Sequence, residues 1–213
     1  RYAVMHPEGQ YPISSLYLDS SNLDLCKETL SGKANRFKLR IRGYDENPDN
    51  PVFFEIKRRV DKVILKSRAR VERPHLVSVL NGSMRYQADC PADQEALDQF
   101  LYYKQVILGR PVVLVRYQRE PFEGQGDHRV RVTFDRQLCY KKVTVAEVVM
   151  NGQGWRRIPI PFVILEIKFT NNYPAWLRRM VHVFNLNRSS MSKYVTSVKE
   201  SKQAGLQTVF PYY

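Results

Sequence analysis

Three consecutive segments decide the fold: Asn35 to Tyr44 reads NRFKLRIRGY, Val52 to Val60 reads VFFEIKRRV, and Lys62 to Val71 reads KVILKSRARV. Successive side chains of a strand point to opposite faces. The first segment therefore sets Lys38, Arg40 and Arg42 against Phe37, Leu39 and Ile41. The second sets Glu55 and Lys57 against Phe54 and Ile56. The third sets Lys66, Arg68 and Arg70 against Leu65, Ala69 and Val71. A strand with one charged face is usually half-buried, with water on its other side.

Working outward, the same pattern returns. Val115, Tyr117 and Arg119 alternate with Leu114 and Arg116. Arg129, Arg131, Thr133 and Asp135 oppose Val130, Val132 and Phe134. Glu166 and Lys168 oppose Leu165, Ile167 and Phe169. A solvated face intersperses both signs of charge, whereas here arginine and lysine dominate strand after strand. The expected architecture is α+β: a closed antiparallel β-barrel tunnel with a charged lumen and helices packed outside on the apolar faces. Such a lumen is a cage for a polyanion.

The 213 residues suit a single domain spanning 1–213. A hydrophobic content of 43% supports a real core and rules out a disordered chain. The net charge of +13 points to phosphate-bearing partners or an anionic surface. Cys26, Cys90 and Cys139 are too few and too scattered for a disulfide framework or a zinc knuckle, so a reducing compartment is expected. No apolar run approaches the ~20 residues of a membrane span, and no signal peptide is visible. The expected location is the cytoplasm, with charge alone allowing peripheral contact with a membrane face.

Along the chain, residues 1–10 read as loop and Tyr11 to Asp19 as a strand. Short helices are expected over Leu23–Leu30 and His75–Leu80, the latter opened by Pro74. A longer helix is expected over Asp93–Ile107. Cys139–Met150 is ambiguous and is read as a strand. Pro174–Phe184 reads as an amphipathic helix with Trp176, Met180, Val183 and Phe184 on its greasy side. Ser189 to Tyr194 reads as a loop or short strand, and residues 199–213 as a polar tail.

The motif E-I-K occurs at Glu55–Lys57 and again at Glu166–Lys168. Its carboxylate and ammonium share a face. In a phosphate cage the lysine neutralises phosphate oxygens, while the glutamate holds a divalent cation or orients a basic neighbour. On a surface the same pair is a weak salt bridge. His6, His75, His128 and His182 lack metal-ligand spacing, and there is no phosphate-cradling glycine loop or nucleophile elbow. Any chemistry therefore rests on basic residues and a metal acting on phosphate, which suits phosphoryl transfer. Nucleic acid is not the expected partner, because no reader motif or stacking platform is present.

The segments SLYLDS, KLRIRGY, FEIKR, KSRAR, YQREPF, RVRVTFD, ILEIK and MSKY occur in the order found in the VTC (vacuolar transporter chaperone) polyphosphate polymerase domain. The sequence resembles that family from Tyr11 to Val198, and within it looks closer to bacterial stand-alone VTC-like proteins than to fungal multidomain subunits. The family belongs to the triphosphate tunnel metalloenzymes, with the CYTH-type triphosphatases and adenylate cyclases. The resemblance implies transfer of the terminal phosphate of ATP onto a growing inorganic polyphosphate chain, with Mn2+ or Mg2+ as cofactor. It implies that Arg40, Arg42, Lys57, Lys66, Arg119 and Arg131 hold phosphates and that Glu166 holds the metal, with Glu55 as a second metal candidate. Ser192 and Lys193 match the family's terminal S-K-Y phosphate contact, presented here by a loop. Lys38, Arg68, Arg129 and Lys168 share the inward faces and complete the expected phosphate-binding set. Family members open with an E-x-K-Y-like strand, and this sequence starts downstream of it, so that strand is expected to be missing. Two other outcomes stay open: hydrolysis of tripolyphosphate or nucleoside triphosphates, and non-catalytic binding of polyphosphate or inositol phosphates.

Overall fold

The computed structural model describes residues 2–4, 9–61, 63–124, 127–170 and 174–207. The alternating segments form β2 (Tyr11–Asp19), β3 (Arg36–Gly43), β4 (Val52–Val60), β5 (Val63–Val71), β6 (Arg110–Gly124), β7 (Asp127–Lys142) and β9 (Ile164–Phe169). Two short strands join them, β1 (Tyr2–Val4) and β8 (Arg156–Arg157). All nine lie in one sheet ordered β5-β4-β3-β2-β6-β7-β8, with β1 on β6 and β9 on β7. Every pairing is antiparallel. Residues 1–10 are thus not all loop, since Tyr2–Val4 pairs with Phe122–Gly124.

The expected tunnel is a curled sheet rather than a closed one. Among the described residues no ladder joins β5 to β8 or β9. The curl shows in the charges: Glu166 and Lys168 of β9 act electrostatically on Lys57 of β4, although β3, β2, β6 and β7 separate the two strands in the sheet. Directly paired residues share a face, so the registers Lys38↔Lys57↔Lys66 and Arg40↔Glu55↔Arg68 place the basic rows together on the concave side.

The convex side is the main core. Leu39, Ile41, Phe54, Ile56, Ala69 and Val71 pack beneath α2 (Leu76–Asn81) and α3 (Pro91–Val106). Phe54 and Phe100 meet edge to face at 5.0 Å. Val130, Val132, Phe134, Leu165 and Ile167 form a second patch beneath α4 (Ala175–Val183). On α4 the buried residue is Leu177, with Met180 beside it, while Trp176, Val183 and Phe184 are exposed. The stripe read from sequence is therefore rotated around the helix from the one that packs. The segment 143–150 is irregular and not a strand. β7 ends at Lys142, and Val143 and Val148 anchor the following loop in the core.

The largest departure lies at the C-terminal end. Ser192 lies in the expected loop, but residues 199–207 are not a tail: Lys193–Gln207 is a helix, α5, and residues 208–213 of the expected tail lie outside the described residues. Ser192 caps it by accepting a hydrogen bond from the Val195 N–H at 3.3 Å. This helix packs on the concave face, not outside. Tyr194, Val195 and Val198 form a cluster with Ile13, Tyr17, Val113, Val115 and Tyr117. Those strand residues occupy inward positions, so one end of the concavity is filled by aliphatic and aromatic side chains. Tyr17 and Tyr194 stack at 4.8 Å.

The Tyr194 hydroxyl donates to the buried Asp19 Oδ2 at 2.5 Å. Asp19 also accepts from the backbone N–H groups of Leu25 and Cys26 in α1 (Asp24–Leu30), which ties α5 to α1. Tyr194→Phe should cost about 1–2 kcal/mol, because it removes one charge-assisted bond but leaves Asp19 its other donors. Urea unfolding checks this, and an unchanged midpoint would show that packing alone holds α5.

Candidate active site

Glu55 is the centre of the first charge cluster. Its side chain is fully buried, at 0% exposure. Arg40 Nε donates to Oε2 at 2.7 Å, and Arg68 Nε donates to Oε1 at 2.7 Å. Lys66 Nζ lies 2.8 Å from Oε1, and Arg42 reaches to 4.0 Å of Oε2. Burial opposes the charge of Glu55, but Arg40, Arg42 and Lys66 outweigh it and hold the carboxyl far below its ordinary range. Two phenols brace the arginines. Tyr44 Oη accepts from Arg68 at 2.6 Å, and Tyr17 Oη sits 3.4 Å from Arg40.

The second cluster lies on β6, β7 and β9. Arg119 grips Asp135 bidentately at 2.7 and 2.8 Å and reaches Glu166 at 3.1 Å. Lys193, the first residue of α5, lies 2.6 Å from Asp135 Oδ2. Lys168 is 3.2 Å from Glu166 and mostly exposed at the rim. Asp135 is fully buried, whereas the Glu166 side chain is 35% exposed. Burial raises the Glu166 carboxyl, but Lys168 and Arg119 outweigh it and bring it down to about 2.

Three cations belong to neither cluster. Lys38 donates to Ser192 Oγ at 3.0 Å. Among the described residues the hydrogen-bond partner of Arg131 is the Tyr11 hydroxyl at 3.5 Å, and its Nε is buried without one. Lys57 makes no ion pair among the described residues. Burial within the concavity, together with neighbouring cations, lowers the pKa of both Lys38 and Lys57.

The structure thus brings together Lys38, Arg40, Arg42, Lys57, Lys66, Arg68, Arg119, Arg131, Glu166, Lys168, Ser192 and Lys193. The side chain of Arg129 lies outside the described residues. Four participants were not singled out from sequence. Asp135 was visible as inward-facing, but its role needs Arg119 and Lys193, which are distant in the chain. The phenols Tyr17 and Tyr44 carried no motif. Thr133, paired in register with Glu166, has a buried hydroxyl with no partner.

The two carboxylates proposed for a metal differ. Glu55 does not fit one, because it is inaccessible and already surrounded by Arg40, Arg42, Lys66 and Arg68. Glu166 does fit, being ionised and partly exposed beside the spare cations. No group of three metal-ligating side chains occurs among the described residues. A divalent cation bound by one carboxylate and completed by phosphate oxygens and water matches that donor set.

A pH dependence follows. An anion held by these lysines would be bound fully below the lowered pKa values of Lys38 and Lys57 and would be lost as pH rises through them. Tripolyphosphate affinity should therefore begin to fall below the ordinary lysine value of 10.5. Lys57→Arg should flatten the profile as read by calorimetry. An identical profile would place the titration elsewhere.

Among known proteins, Vacuolar transporter chaperone complex subunit 4 of Schizosaccharomyces pombe is 24% identical over 209 residues. The match covers 80% of this chain and only 29% of that protein. A crystal structure of a candidate adenylate cyclase from Bacillus halodurans shares the fold, with a TM-score of 0.51 at 10% identity. It covers 88% of this chain and 82% of that one. No helix among the described residues is long and apolar enough to cross a membrane. The model of the VTC domain matches residues 1–202, and the chain belongs to the VTC domain family.

Proposed function

We propose that the chain is a polyphosphate polymerase: it transfers the γ-phosphate of ATP to the end of an inorganic polyphosphate chain held in the basic concavity. The observation that carries this is the set of spare cations. Lys38, Lys57 and Arg131 have no carboxylate partner among the described residues, and they share the concave face with two arginine-rich clusters. Family membership and the likeness to a chaperone complex subunit support the same substrate class. A cytoplasmic setting, where ATP is at hand, belongs to the proposal.

In this reading an oxygen of the terminal acceptor phosphate attacks the γ-phosphorus. The new acceptor O–P bond forms as the bond to the β-phosphate oxygen breaks, and ADP leaves. No protein nucleophile is required, because such transfer depends on positioning and charge neutralisation. Arg40, Arg42 and Arg119 present planar donors to successive phosphates. Lys57, Lys66 and Lys193 act as point charges. Glu166 would hold Mn2+ or Mg2+, which when bound supplies Lewis-acid stabilisation of the transferring group.

The test is incubation with ATP and Mn2+, read by polyphosphate gel staining and an orthophosphate assay. A ladder of anionic polymer is expected. Orthophosphate without polymer would replace the proposal with a hydrolase, and tight binding without either product would leave a binding module. A second expectation concerns the spare cations. Lys57→Gln should weaken tripolyphosphate binding about tenfold with an unchanged melting temperature, since no carboxylate loses its partner. A matching loss of stability would mean that Lys57 holds the sheet together instead.

A further inference from the structure

A second basic hollow lies away from the concave face. It is a cavity of about 680 Å3 between the start of β6, the end of β7 and the middle of α5. That volume lies within the range of small-molecule sites. Arg110, Lys142 and Lys202 line it, and among the described residues no acidic one does. None of the three makes an ion pair with a described residue, in contrast to the arginines tied up by Glu55 and Asp135. Thr144 and Ser201 add hydroxyls, while Val112 and Val198 form an apolar floor. Val198 also belongs to the block containing Tyr17 and Val113, so that block stands between the hollow and the concavity.

We propose that this hollow binds a small organic phosphate: a phosphate group set against Arg110, Lys142 and Lys202, carried on a compact body with an apolar face. Three unneutralised cations favour a dianion, and the valine floor favours a ligand that is more than a bare ion. The site goes beyond the reading of the concavity and does not depend on it. It sits on the same helix as Lys193, so its ligand contacts the element that delivers Lys193 to Asp135.

The test is a titration of the isotope-labelled full chain with AMP, following backbone amide signals of Val112, Thr144 and Ser201. Signals of Arg42 and Glu166 report the concavity separately, with tripolyphosphate as its own probe. Saturable shifts at the hollow are expected, weakened about tenfold or more in Lys142→Glu and in Lys202→Glu, with tripolyphosphate binding retained. Lys202 is exposed on its helix, so its variant keeps the test open if the strand variant fails to fold. Shifts confined to the concavity, or hollow shifts undiminished in the variants, would overturn the proposal. Inorganic phosphate binding as tightly as AMP would overturn the organic part of it.

Discussion

Glu166→Gln should reduce turnover at least about a hundredfold while leaving tripolyphosphate bound about as tightly as before. The substitution keeps shape and volume. Of the three carboxylates in the two clusters it removes the one that is open to solvent, with its pKa at about 2 and its side chain 35% exposed. A divalent cation held as proposed would lose its protein anchor. Binding of the anion itself does not suffer, because Arg119 keeps its bidentate hold on Asp135 and Lys168 is released. Phosphate affinity should hold steady or rise slightly as two cations lose a competitor. Metal dependence is the further readout: the wild type should saturate with Mn2+, and the variant should need far more. Loss of binding together with turnover would make Glu166 a structural salt-bridge residue. Retention of full turnover would remove it from the metal site altogether.

Much of this site was legible because a strand encodes its two faces with a period of two. Lys38, Arg40 and Arg42 can be placed together from the sequence alone, and so can Arg131 with Thr133 and Asp135. Sheet closure could not be read, because it depends on whether two edge strands meet, and nothing local to β5 or β9 records that. The role of Glu55 was half legible. Its face was clear, but the four cations around it come from the two neighbouring strands β3 and β5, and only the register shows that they converge on one carboxylate. The helix α5 was missed for another reason. Its apolar residues Tyr194, Val195 and Val198 are few and sit in a polar stretch, so the periodicity is weak. What makes it a packed helix is the aromatic floor supplied by β2 and β6, which the local sequence does not announce. The Ser192 cap was the one local signal available.

Glu55→Gln should destabilise the protein by about 3–5 kcal/mol, the usual cost of removing one partner from a buried charge network. The wild-type carboxylate offsets part of the mutual repulsion of Arg40, Arg42, Lys66 and Arg68 in a space where its own side chain is wholly excluded from water. Glutamine retains two hydrogen-bonding positions but no charge, so four cations are left repelling one another across paired strands. The pH dependence carries the same signature. A carboxyl whose folded pKa is depressed gives stability that is complete above the ordinary carboxylate range and is lost as pH falls toward the folded value. The wild type should therefore lose melting temperature on acidification below about pH 4.5, and the variant should show a flatter curve there. A polyanion in the concavity would replace part of the missing charge. Tripolyphosphate should accordingly raise the melting temperature of the variant by more than it raises that of the wild type. Equal shifts would mean that the bound phosphates do not reach the Glu55 cluster, and would confine the anion to the Arg119, Arg131 and Lys57 side of the concavity. An undiminished stability without any ligand would show that water, not Glu55, already screens these arginines.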